Sequence, residues 1–331
     1  MDPSRAARIA DAFPAARVIV LGDLMVDRFI WGSVTRISPE APVPVVRVHR
    51  ETASLGGAGN VARNIVALGG SALPVGLRGA DGHGDELVAL CRDSGLRLEG
   101  LIRTDDRPTS VKTRIVAHHQ HVVRFDREED APAPPGAREA LRACVFEALA
   151  SADALILSDY DKGTLSAELL QAVLPEAARR GLPVIVDPKV RLMPHYRPVT
   201  VVTPNLREAS EAAGMKVQSD ADVEAAGRKL IASLGCPWLL ITRGERGMLL
   251  QAAGGPSLHV PAVAREVYDV SGAGDTVVAA LALALAAGAT MEEGVILANH
   301  AAGVVVGKLG TAAITREELL QAVERSREGT G

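Results

Sequence analysis

The chain is poor in aromatic residues, with four Phe, three Tyr and two Trp among 331 positions. Few rings are left on which nucleic-acid bases could stack, so a single-strand-binding platform is not expected. A basic excess is missing too. Lys and Arg number 36 against 40 Asp and Glu, a formal net charge of −4, so neither nucleic acid nor a membrane surface is the expected partner. The longest apolar run, Val277 to Ala289, has 13 residues, short of the about 20 that span a bilayer. The amino-terminal stretch carries Asp2 and Asp11 and no compact apolar segment before a small-residue cleavage site, so no secretory leader is read there. Cys91, Cys144 and Cys236 lie far apart, with no C-x-x-C pair. Such a set fits reduced, buried thiols in a cytoplasmic protein better than a disulfide framework or a zinc site.

What is present is an ordinary globular composition, 47% hydrophobic and 23% charged. Strand-like runs at Arg17–Leu21, Ala154–Ser158, Pro183–Asp187, Val199–Thr203 and Trp238–Thr242 alternate with helix-like stretches at Gly136–Ala150, Ser166–Arg180 and Asp220–Leu234. Apolar strands followed by helices predict an α/β fold, a doubly wound, mostly parallel sheet flanked by helices, with ligands beyond the carboxyl ends of its strands. Residues 1–331 read as a single domain. Phe29–Val34, Val43–Arg50, Ser110–Ala117 and His121–Phe125 break the rhythm, with little helix between the members of each pair. They predict a small, mostly antiparallel sheet formed by about 27–51 and 109–126, which could serve as a lid, as a dimer surface, or as a structural extension.

Two glycine-rich turns carry most of the chemistry. Asp269–Thr276, DVSGAGDT, opens an apolar helical run. Small residues at Gly272, Ala273 and Gly274 let a ligand approach the main chain, and free helix N–H groups would face an anion. Asp275 in that first turn could take a proton from a hydroxyl while the amides hold a phosphoryl group, or it could merely complement the helix dipole. Ser54–Asn64, SLGGAGNVARN, places Gly56, Gly57 and Asn60 at a second helix start. Asn60 both donates and accepts, as sugar hydroxyls require, although a plain helix-entry turn accounts for it as well. Asp27, just past the first strand, suits a diol. Neither turn is a P-loop or the dinucleotide fingerprint.

Together the two turns resemble the signatures of the PfkB (ribokinase-like) carbohydrate kinases, and the resemblance runs over essentially the whole chain. It implies the ribokinase-like fold and ATP-dependent phosphorylation of a sugar hydroxyl. Asp275 then corresponds to the catalytic base, Gly272, Ala273 and Gly274 to the anion hole, and Asp27, Gly56, Gly57 and Asn60 to the sugar site. Thr203-Pro204-Asn205-Leu206-Arg207-Glu208 is similar to the family's N-x-x-E element, which implies that Asn205 and Glu208 organise Mg2+ through water near the phosphates. Thr242–Gly247 resembles the nucleotide-binding turn, with Thr242, Gly244 and Gly247 beside ATP and Asn299 near the adenine. A hairpin turn and an ordinary polar helix position remain the rival readings.

Arg36–Val46, RISPEAPVPVV, together with Ser158–Gly163 and Asp187–Lys189, resembles the D-glycero-β-D-manno-heptose 7-phosphate kinases of lipopolysaccharide core synthesis. That implies transfer to the anomeric hydroxyl, giving the 1,7-bisphosphate and ADP. A phosphorylated sugar wants cations, and Arg124, Lys162 and Lys189 are the candidates, with Lys112 and Arg114 also on strand-like runs. No histidine forms a His-x-Gly-His element, so a stand-alone kinase without a fused nucleotidyltransferase is expected, working as a homodimer through the lid sheet. The rivals are a family member acting on ribose or a fructose phosphate, a silent nucleotide- or sugar-sensing module and, more weakly, a dehydrogenase.

Overall fold

The computed structural model describes residues 1–117, 120–263, 267–308 and 310–328. In chain order the strands are β1 (Arg17–Gly22), β2 (Leu24–Ile37), β3 (Pro44–Gly57), β4 (Ser71–Gly79), β5 (Leu101–Thr104), β6 (Ser110–Ala117) and β7 (Gln120–Arg127). Then follow β8 (Ala154–Ser158), β9 (Val184–Asp187), β10 (Val201–Val202), β11 (Trp238–Thr242), β12 (Met248–Ala252) and β13 (Ser257–Val260).

Nine of them form one sheet in the order β13-β12-β11-β10-β9-β8-β1-β4-β5. Pairing is parallel from β11 through to β5, and only β12 and β13 run antiparallel at one edge. Successive side chains of a strand point to opposite faces, and β1 illustrates the result. Val18 and Val20 join one core, with the helices Ala58–Ala67, Ala273–Ala286 and Met291–Val305. Ile19 and Leu21 join the other, with the helices Pro135–Leu149, Ala167–Arg179 and Asp220–Leu234. Both faces are covered, which is why the central strands read as unbroken apolar runs.

The other four strands form a second sheet in the order β3-β2-β6-β7. β2 pairs antiparallel with β3 and parallel with β6, and β6 pairs antiparallel with β7. The prolines of Arg36–Val46 lie at the tip of this sheet, around the turn joining β2 to β3. Val48, Val123 and Phe125 leave apolar surface on it.

The structure departs from the sequence expectation in places. β2 and β3 run to 14 residues each, because Met25 to Phe29 pair with Thr52 to Gly56, beyond the apolar stretches. β10 keeps only two residues. Pro204 has no N–H to continue it, and Asn205 turns the chain to cap the helix Leu206–Ala213. Cys91 and Cys236 are buried, but Cys144 is only partly so. Among the described residues no helix is long and apolar enough to cross a membrane.

Candidate active site

The carboxyl ends of neighbouring strands deliver the polar residues in a row. β1 leads to Asp23, β8 to Asp159 and Tyr160, β9 to Asp187 and Lys189, β10 to Asn205, and β11 to Thr242 and Gly244. Across this edge the helix Ala273–Ala286 begins, with Gly272 as its N-cap in a left-handed conformation (φ +78°) and Asp275 in its first turn. Asp275 is buried, and its two oxygens have different partners. Oδ2 accepts a hydrogen bond from Asn60 Nδ2 at 2.6 Å, and Oδ1 accepts one from the Tyr160 hydroxyl at 2.8 Å. Burial pushes this carboxyl up to about 6, against the pull of those two donors. A carboxylate poised there is ionised at neutral pH yet basic enough to accept a proton. A side chain added at Gly274 would meet nothing within 4 Å, whereas one at Gly272 would stand 2.7 Å from Asn60 Nδ2.

Asn60 lies in the helix Ala58–Ala67, whose N-cap is Gly57. Its Oδ1 accepts from Arg63 Nη2 at 2.8 Å, and the same guanidinium donates to the carbonyl of Thr311. Asp27, on β2 and buried, accepts from Arg114 Nη1 of β6 at 2.6 Å. Asp27 pairs with Ser54 in register, so Gly56 lies beside it, and a side chain there would come within 2.6 Å of Asp27 Oδ2. Along the same face of the smaller sheet Phe29 and Trp31 stack at 5.8 Å. These rings, with Thr52, Ser54 and Thr311, line a cleft of about 530 Å³. Through Thr311, Arg63 and Asn60 this cleft is linked to Asp275.

The proposed cations go to different places. Lys189 pairs with Glu208, on the side of the helix Leu206–Ala213, and its Nζ stands 5.6 Å over the Tyr160 ring. Lys162 binds Glu128 at 2.8 Å and Asp130 at 2.7 Å, and Lys112 binds the same Glu128 at 2.8 Å. Arg124 is exposed on β7 and reaches Asp126 at 3.0 Å. Asn205 and Glu208 form a reciprocal capping box, with Glu208 N–H donating to Asn205 Oδ1 at 2.9 Å and Asn205 N–H to Glu208 Oε2 at 3.0 Å. Thr242 bridges to Asn205 and donates its N–H to the Pro204 carbonyl at 3.0 Å. Gly244 lies in the turn between β11 and β12, Gly247 ends it against the Val260 carbonyl, and Asn299 donates to the Pro261 carbonyl at 2.8 Å.

Four residues that carry no role in the sequence pattern belong to this site: Asp23, Arg63, Tyr160 and Asp187. Asp23 accepts the N–H groups of Tyr160, Lys162 and Thr164, at 2.8, 3.1 and 3.1 Å, and so shapes the loop after β8. Tyr160 and Arg63 lie within Ser158–Gly163 and Ser54–Asn64, where no local spacing marks them. Burial of the Asp187 carboxyl, with the repulsion of Asp275 added, pushes it well up, with Lys189 opposing.

Residues 15–318 match the family described as pfkB family carbohydrate kinase. The chain belongs to that family. Among curated relatives, this pfkB member is 47% identical over 327 residues to the Bifunctional protein HldE of Rhodospirillum rubrum, covering 98% of the chain and 66% of the relative. Against the protein of the same name from Paramagnetospirillum magneticum it is 48% identical over 308 residues, covering 93% of the chain and 63% of the relative. The chain thus spans somewhat less than two thirds of these relatives' length. Arabidopsis thaliana ribokinase complexed with ribose and ATP superposes with a TM-score of 0.74 at 22% identity, over 93% of this chain and 98% of that one. Escherichia coli phosphofructokinase-2 in complex with substrates and products gives 0.77 at 21%, over 94% and 98%. At such identity these two establish the ribokinase-like fold alone.

Proposed function

We propose that the chain is an ATP-dependent kinase that phosphorylates the anomeric hydroxyl of D-glycero-β-D-manno-heptose 7-phosphate, giving the 1,7-bisphosphate and ADP. The observation that carries the kinase reading is Asp275. It is a buried carboxylate with both oxygens pinned, in the first turn of a helix that starts between Gly272 and Gly274. The resemblance of Arg36–Val46, Ser158–Gly163 and Asp187–Lys189 to the heptose 7-phosphate kinases carries the choice of sugar. Relatives 47% and 48% identical over 98% and 93% of the chain support a common substrate.

In this reading Asp27, Gly56, Gly57 and Asn60 hold the sugar, and Asp275 takes the proton from its attacking hydroxyl. The amides at Gly272, Ala273 and Gly274 stabilise charge on the phosphoryl group in transfer, where such reactions draw most of their catalysis. Thr242, Gly244, Gly247 and Asn299 border the nucleotide. Arg124 and Lys162 would exchange their carboxylate partners for the sugar's phosphate, with Lys112 beside Lys162. Lys189, tied to Glu208, is better placed toward the transferring phosphate than the distal one.

The donor set also fits a hydrated magnesium ion. Asp27, Asp187, Asp275 and Glu208 outweigh Arg63, Arg114 and Lys189, so two substrates rich in phosphate call for a further cation. Both oxygens of Glu208 already have partners, and among the described residues no three acidic, His or Cys side chains form a cage. Asn205 and Glu208 would therefore hold the ion through its waters, which magnesium retains readily. When bound it supplies charge neutralisation at the phosphates. The smaller sheet acts as the lid that excludes water. Its apolar surface at Val123 and Phe125 is the proposed homodimer contact, and the cytoplasm is the proposed location.

Coupled ADP release with magnesium-ATP tests the reading. Heptose 7-phosphate should be turned over in preference to fructose 6-phosphate and ribose, and Asp275→Asn should lower kcat by about 10²–10⁴-fold while ATP still binds. Turnover on another sugar alone would remove the heptose assignment. Near-normal turnover in Asp275→Asn would remove the base.

A further inference from the structure

Tyr160 lies in the loop after β8, and proton transfer to Asp275 makes no direct use of it. Its place is nevertheless narrowly fixed. The Tyr160 N–H donates to Asp23 Oδ2 at 2.8 Å, which sets the backbone. The ring runs along the glycine wall, where a side chain built at Gly57 would stand 3.5 Å from Tyr160 Cδ2. Lys189 Nζ covers the ring at 5.6 Å. The hydroxyl ends 2.8 Å from Asp275 Oδ1, while Asn60 Nδ2 holds Oδ2 at 2.6 Å. Turning the carboxylate about its Cβ–Cγ bond would break both hydrogen bonds at once.

We infer that Tyr160 is a positioning residue for this reaction: its hydroxyl fixes the rotation of the Asp275 carboxylate and favours its ionised form. The inference rests on the proposed role of Asp275 as base. Asn60 alone leaves one oxygen unheld, so the second donor distinguishes an oriented base from one that is merely nearby. A neutral donor to a carboxylate stabilises the charged form, and here it works against burial. The charged groups facing Asp275 from the packed elements are Arg63 on the helix Ala58–Ala67, Asp27 on β2 and Asp187 after β9. Asp27 opposes ionisation and Arg63 favours it, while Asp187 is itself pushed up by burial and by Asp275. Without the Tyr160 hydroxyl, Asn60 and Arg63 are left to hold the charge against burial and Asp27. Tyr160 itself stays protonated throughout, since burial and the neighbouring carboxylates push its phenol further up.

The test is Tyr160→Phe, which keeps the ring against Gly57 and Lys189 and removes one oxygen. Carbon-13 carboxyl resonances of aspartate-labelled protein are titrated in wild type and variant, with Asp275→Asn supplying the assignment. The Asp275 midpoint should rise by about half to one pH unit in Tyr160→Phe. With magnesium-ATP and the sugar phosphate, kcat should fall on the order of tenfold near neutral pH and partly recover at higher pH. The KM for ATP should stay within about twofold. Coincident titrations of Asp275 in the two proteins would overturn the inference, as would a kcat loss of equal size at every pH. Wild-type protein that turns over none of the sugars would sink the kinase reading instead. The resonance would still decide whether Tyr160 governs the carboxylate.

Discussion

The two glycine-rich turns look alike as sequence, each a cluster of small residues opening a helix, and the structure gives them opposite surroundings. At Gly57 the backbone is left-handed (φ +54°), and a side chain would lie 2.4 Å from the Asp23 carbonyl. At Gly56 it would meet the Asp27 carboxylate. These glycines bring β3, the helix Ala58–Ala67 and the loop after β1 together. At Gly274 nothing lies within 4 Å, and at Gly272 the nearest atom is the amide of Asn60 at 2.7 Å. Gly56, Gly57 and Gly272 answer to protein already in place, whereas Gly274 faces none. Asn60 joins the two, with its backbone in the first and its amide on Asp275 of the second.

Substitution at the first turn should have the largest effect on folding. Gly57→Ala combines a left-handed backbone with a contact against main chain that cannot rotate away. A loss of about 3 kcal/mol or more is expected in urea melts, on the scale of strain and overpacking together. A loss below about 1 kcal/mol would mean that the first turn can open as the second does, and the contrast between them would fail.

The next effect belongs to Asp275 and is pH-dependent. Its carboxyl is pushed up to about 6 from an ordinary 3.8, so the folded state holds this proton more tightly than the unfolded chain. The residue's contribution to stability is complete below about 3.8 and is lost as pH rises through about 6. Asp275→Asn carries no such loss. At pH 7.5 the variant should be more stable than wild type by roughly 1–3 kcal/mol, and the gap should close near pH 4. With Asp275 as the proposed base, turnover should run the other way, wild-type kcat falling as pH drops below about 6. Equal stabilities at both pH values would show that burial does not strain this carboxylate.

Much of the fold was legible in the sequence because parallel strands covered on both faces are locally apolar. Ala154–Ser158, Ser110–Ala117, Trp238–Thr242 and the helix Asp220–Leu234 have the bounds that their patterns predict. β4 is not legible as a strand because Pro74 and Gly76 interrupt it. Pro74 is tolerated since pairing with β5 starts only at Gly76 and leaves Pro74 on an unpaired edge. In the site, the Gly-rich turns and Asp275 stood out as composition, but the pinning of Asp275 did not. Its partners are 215 and 115 residues away in sequence, and no local spacing encodes such a meeting. The cations show the same limit. Arg124, Lys162 and Lys189 stand out as charges after strands, but their present carboxylate partners are set by how the linker after β7 and the helix Leu206–Ala213 fold back. Asp161 illustrates the converse case. It is the one non-glycine residue with positive φ among the described residues (φ +59°), held by Arg191 and following Asp159, and aspartate is among the few residues that tolerate that conformation.

The smallest effect on stability, and the sharpest on the contrast, is expected at Gly274. The position is exposed, already helical and open in front. Alanine costs nothing sterically there and has the better helix propensity, so Gly274→Ala should leave the fold unchanged or stabilise it by up to about 1 kcal/mol. In the proposed reaction the added methyl would nevertheless stand beside the amides that the transferring phosphate approaches. The KM for ATP should rise, or kcat fall, by about tenfold or more, because a 1 Å displacement of a transferring group is costly. Stability and activity thus move in opposite directions at Gly274, while at Gly57 both are lost together. Thermal melts beside coupled ADP release on the two variants measure this directly. Full activity in Gly274→Ala would mean that the phosphate does not approach these amides, and the open space beside Gly274 would then belong to some other part of the nucleotide or the sugar.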